Sequence, residues 1–177
     1  MTEPIDLSTN SLVAISRESL TALRASLFRD LGGTAATYLQ DAGYTGAGQV
    51  YDAFEGWLTA HGNPAPQDLS MEDFGEAVAE FFAACGWGTL TFTTGEGGVA
   101  TIESSDWAES VLADGSEMSG CYFTTGVLGE FFARVVDAPV SVMEVGCRSM
   151  GHPACKFLVG TPERLQAIYD QMAAGQG

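Results

Sequence analysis

Basic side chains are scarce in this 177-residue chain: Lys156 is the only lysine, and six arginines are dispersed along the sequence. Against 23 acidic residues they leave a net charge of −16. With no basic stripe to release counterions, DNA, RNA and anionic membranes are disfavoured as partners. No apolar run approaches the about 18 residues that a transmembrane helix requires. The opening Met-Thr-Glu-Pro-Ile-Asp has no basic region followed by an apolar stretch. That predicts no secretory signal, with the cytoplasm as the expected address. Gly46-Ala-Gly48 does not continue into a dinucleotide fingerprint, and neither a phosphate-binding loop nor a Gly-x-Ser-x-Gly elbow occurs. The carboxylates form no pair assignable to the two sides of a cleft, so a two-acid hydrolase is unsupported. An enzyme is not the expected reading.

What is present is an apolar content of 46%, with ten Phe, five Tyr and three Trp, enough for a substantial core. Periodicity predicts helices first. Ser16 starts one with Leu20, Leu23, Leu27, Phe28 and Leu31 in register. A second ends near Gly43, and a third carries Val50, Phe54, Trp57 and Leu58. A cap at Asp68-Leu-Ser-Met precedes a helix with Phe74, Val78, Phe81 and Phe82 inward. Strands over 88–94 and 99–104 flank a glycine turn and read as a hairpin. Residues 105–119 read as a loop with a partial helix, and 120–136 as a helix. A second hairpin covers 140–146 and 155–159, and Thr161-Pro162 opens a last helix. The expected architecture is α+β: a single domain over 16–177 behind an arm at 1–15. An antiparallel sheet of hairpins packs with helices, and the N-terminal half is mainly helical.

The densest chemistry lies in the second hairpin. Cys147 and Cys155 are eight residues apart, Glu144 precedes the first by three, and Cys121 lies 23 residues before Glu144. Three thiols and an acid can surround a tetrahedral metal, and zinc favours such a set. Four protein ligands leave no open position, which makes such an ion structural. Its net charge of about −2 calls for backbone N–H groups or Arg148 nearby. His152, in the turn, is an alternative fourth ligand with Glu144 behind it. Cys85 stands apart and reads as small core filling. His61 reads as a loop residue.

The run Glu144-x-x-Cys147-x-x-x-Gly151-x-x-x-Cys155 followed by Phe157, with Cys121-Tyr-Phe-Thr-Thr-Gly126 upstream, resembles the 4-vinyl reductase-type small-molecule-binding domain. That domain is also the sensor module of aromatic-responsive bacterial transcription activators, and is distantly related to vesicle-tethering subunits. The similarity is clearest over 88–160. It implies structural Zn²⁺ on Cys121, Glu144, Cys147 and Cys155. It also implies a ligand pocket near Trp107, Tyr122, Thr125 and Val142, and a homodimer acting on a separate effector protein. The histidine with which the sensors hold a phenolic hydroxyl has no counterpart between His61 and His152, so a more apolar ligand is as well supported as a phenol. The resemblance also admits two other roles. One is a carrier or reductase for a vinyl-bearing tetrapyrrole; the other is a protein-interaction adaptor.

Overall fold

The structure is a computed structural model that describes residues 5, 7–110 and 120–175. Five helices and a four-stranded antiparallel sheet form an α+β domain. The first helix, α1 (Arg17–Leu31), is capped by Ser16, whose Oγ accepts the Ser19 N–H. Its buried positions are Leu20 and Arg24, while Leu23 and Leu31 are exposed. The expected leucine face therefore holds a buried cation.

The stretch read as two helices is one 27-residue helix, α2 (Thr34–Ala60), running straight through Gly43. Its interior glycines cost helix propensity, about 1 kcal/mol each relative to alanine. At Gly43 the cost is offset by a close crossing. A Cβ there would run into the carbonyl of Phe123 in α4 (Tyr122–Val136), and one on Gly126 would run into the carbonyl of Gln40. Glycine on both sides lets the two backbones touch, so Gly43 marks a helix crossing and not a helix end.

Helix α3 (Met71–Ala84) takes its cap from Ser70, whose Oγ accepts the Asp73 N–H; Asp68 belongs to the preceding 3₁₀ turn. Helix α5 (Pro162–Ala174) is capped by Thr161. The strands β1 (Thr91–Thr94), β2 (Ala100–Ser104), β3 (Ser141–Gly146) and β4 (Cys155–Gly160) lie in the order β1-β2-β4-β3. The second hairpin thus docks on the first through β2 and β4, with Ile102 opposite Phe157. Strand β1 begins later than expected, after Gly88 at φ +129°. Residues 105–110 form turns, and the rest of the predicted partial helix, 111–119, lies outside the described residues.

Phe54, Phe81, Phe131, Phe157, Ile102 and Leu128 are fully or almost fully buried, and α4 is enclosed along most of its length. Cys85, expected inside, is exposed at the end of α3. Among the described residues no helix is long and apolar enough to cross a membrane.

Candidate metal centre

Glu144 and Cys147 are three residues apart, and in a regular strand an odd separation sends two side chains to opposite faces. A β-bulge changes that parity. Glu144 pairs with Phe157, yet Gly146 pairs with Lys156, so β3 advances two residues against one on β4. Val145 is the extra residue. Glu144 therefore shares the core face with buried Phe157, and Gly146 lies opposite exposed Lys156. Cys147 follows it back onto the core face. Cys155, beside Lys156, is on that face too and fully buried.

Cys121, the residue before α4, meets this cluster. Its Sγ is 3.9 Å from that of Cys147 and 3.6 Å from that of Cys155, while its N–H donates to Glu144 Oε2 at 3.0 Å. The four donor atoms lie within 4.8 Å of one another, close enough to hold a metal ion. A tetrahedral ion with metal–sulfur bonds of about 2.3 Å separates its sulfurs by roughly 3.8 Å. Both sulfur pairs already stand at that spacing, so the donor set fits such an ion. His152, in the turn, is exposed and outside the four-residue cluster.

Three sulfurs this close cannot all carry charge without a cation between them. Hydrogen bonds from Cys121 and Cys155 hold the Cys147 thiol low, and the bonds to Cys147 and Cys155 push Cys121 up. Cys147 is thus the anionic member of the metal-free set. The Gly120 N–H donates to its Sγ at 3.3 Å, and Ser149 Oγ lies 2.9 Å from it. Arg148 contributes its backbone N–H to Cys155, whereas its guanidinium turns to Ser110 Oγ at 3.1 Å.

A buried ion pair stands behind the cluster. Arg24 of α1 donates to the carbonyls of Glu109 and Gly120, and its Nε is 3.4 Å from Glu109 Oε1. The Glu109 carboxylate accepts the N–H groups of Phe123 and Thr124 in the first turn of α4, and the Thr124 hydroxyl. A negative charge there complements the helix dipole. Burial pushes the Glu109 carboxyl up, and the Thr124 hydrogen bond and the Arg24 charge oppose the shift. The Trp107 indole N–H donates to Thr124 Oγ1 at 2.6 Å, extending the network. Sequence reading missed Arg24 and Glu109. Arg24 stands at helical spacing between Leu20 and Leu27, a signal that could have found it. Glu109 has no comparable local signature.

An open apolar groove of about 970 Å³ lies at the other end of α4. Phe74 and Ala79 of α3, Phe92, Ala100 and Ile102 of the sheet, and Phe132 are among its lining residues. Trp107, Tyr122, Thr125 and Val142 are not. Trp107 is buried in the network above, Tyr122 is half-buried with its ring 6.0 Å from that of Phe28, and Thr125 is buried in α4. Val142 is opposite Val159, a lining residue.

Comparison with known proteins agrees with this architecture. Residues 104–161, which include all four cluster residues, match the model of the 4-vinyl reductase domain. No curated protein sequence matches the chain significantly. Among solved structures, the chain is similar to the phenol-responsive sensory domain of the transcription activator PoxR with phenol. There the TM-score is 0.70 at 17% identity, covering 92% of this chain and 82% of that one. A vinyl-4-reductase family protein from Methanocaldococcus jannaschii gives 0.55 at 17% identity, over 83% and 82% of the two chains. A trafficking protein particle complex subunit 3 from Naegleria fowleri, covalently bound to palmitic acid, gives 0.61 at 16% identity, over 81% and 91%. At these identities the likeness is one of fold. Through residues 104–161 the chain is recognised as a relative of the 4-vinyl reductase-type small-molecule-binding domain, and it has the fold of that domain.

Proposed function

We propose that this chain is a zinc-braced small-molecule-binding domain of the sensor type, taking a hydrophobic or aromatic ligand. The observation that carries the reading is that one helix joins two features. The four-donor cluster of Cys121, Glu144, Cys147 and Cys155 is at the start of α4, and the apolar groove reaches Phe132, Val135 and Val136 at its end. With four protein ligands, zinc would be structural, tying the second hairpin to α4. The groove has the size and apolar character of small-molecule sites. The likeness to a domain solved with phenol supports a sensing role. A cytoplasmic homodimer that passes ligand state to a separate effector protein completes the proposal. An activity of its own is not part of it.

Native mass spectrometry of protein purified without chelators tests this reading. The expected result is one zinc per chain with an added organic mass, on a dimer. Four freely titratable thiols and no metal would overturn the zinc assignment. Enlarging Ala100 in the groove, or Thr125 and Val142 nearer the cluster, tells which region holds the organic molecule.

A further inference from the structure

The groove is apolar along its walls and one-signed at its rim. Glu72 and Glu76, one turn apart on α3, are both exposed lining residues. Among the described lining residues there is no lysine, arginine or histidine; the other polar side chains are neutral. Helix α4 ends at the groove with Val135 and Val136, and the last carbonyls of a helix carry partial negative charge. One feature works the other way, because the first turn of α3, at Met71, also borders the groove, and helix N-termini attract anions. That end is already satisfied: Ser70 Oγ accepts the Asp73 N–H, and Glu72 and Asp73 occupy the first turn. The chain as a whole carries −16.

We infer that the groove selects an amine-headed lipophile, an apolar body buried against Phe92, Ile102 and Phe132 with a cationic head between Glu72 and Glu76. This rests on the reading of the groove as the ligand site and adds the chemical class of its ligand. A carboxylate or phosphate head of the same apolar body would meet two carboxylates and a helix C-terminus with no cation to answer it. An alcohol head, uncharged, falls between.

The test uses the full chain and three probes of one chain length, decylamine, decanol and decanoate, below their micelle concentrations, with affinities from titration calorimetry. Decylamine is expected to bind at least about tenfold more tightly than decanoate. That ratio should shrink in high salt and in the double variant Glu72→Gln, Glu76→Gln. Both substitutions are at exposed positions, so the variant is expected to fold. Ala100→Phe, which fills the groove, should weaken all three probes. Equal binding of the three, abolished by Ala100→Phe, would overturn the head-group selection and leave the groove as a ligand site. Tighter binding of decanoate would overturn it as well. No binding of any probe, or binding indifferent to Ala100→Phe, would overturn the ligand-site reading and this inference with it.

Discussion

Arg24 of α1 donates to the carbonyl of Gly120, the residue immediately before the first thiol of the metal cluster. The same guanidinium pairs with Glu109, whose carboxylate caps the first turn of α4. A distant upstream helix thus holds the chain segment from which Cys121 reaches Cys147 and Cys155. The pair is buried on both sides, so its energetics differ from those of the exposed pairs Arg29–Asp30 and Lys156–Glu103.

Removing Arg24 leaves a buried carboxylate and two buried carbonyls without their cation. Arg24→Met is expected to cost about 3–5 kcal/mol in chemical denaturation. The double variant Arg24→Met, Glu109→Gln should recover part of that loss, because it removes both charges together. A single-variant cost no larger than that of an exposed pair would refute the role given to this contact.

Cys147→Ser removes the anionic member of the sulfur set. With zinc at a hundredfold over its dissociation constant, metal binding would contribute about 2.7 kcal/mol of stability, and the variant should lose it together with the metal. Elemental analysis and a melting curve with and without chelator measure both. A chelator-insensitive melting temperature in the wild-type chain would argue against a bracing metal.

Metal retention should weaken as pH falls. Binding requires deprotonated thiols, and the Cys121 thiol is raised in the metal-free cluster by its hydrogen bonds to Cys147 and Cys155. The ion must displace that proton, so affinity is lost on acidification and gained as pH rises. Chelator competition across a pH series reads the slope, and a flat profile is incompatible with thiolate ligation.

Two glycines of α2 should respond in opposite senses. Gly43→Ala sets a methyl against the Phe123 carbonyl and should destabilise by about 1–3 kcal/mol. At Gly46 nothing lies within 4 Å of a built Cβ, so Gly46→Ala should stabilise by up to about 1 kcal/mol through helix propensity. Denaturant midpoints of the two variants, measured side by side, are the check.

Much of the fold is legible in the sequence because local rules agree with the outcome. Ser16 and Thr161 cap the helices they are expected to open, and the 3.6-residue spacing of Phe123, Val127, Leu128 and Phe131 marks α4. Cys121, Glu144, Cys147 and Cys155 are legible as a donor set from residue type and spacing. Gly43 misleads, since a glycine that ends a helix and one that admits a neighbouring backbone look alike along the chain. Arg24 escapes notice because its partners, Glu109 and Gly120, are 85 and 96 residues away.

By itself, then, the sequence determined the elements, the α+β class and the identity of the four clustered donors, because caps, periodicity and residue type act over a few positions. Only the tertiary structure decided that Glu144 and Cys147 share a face, that Gly43 meets Phe123, that Arg24 and Glu109 stand behind Cys121, and that the groove opens beside Glu72 and Glu76. Each of these depends on strand register or helix crossing, which are set by burial across distant segments of the chain.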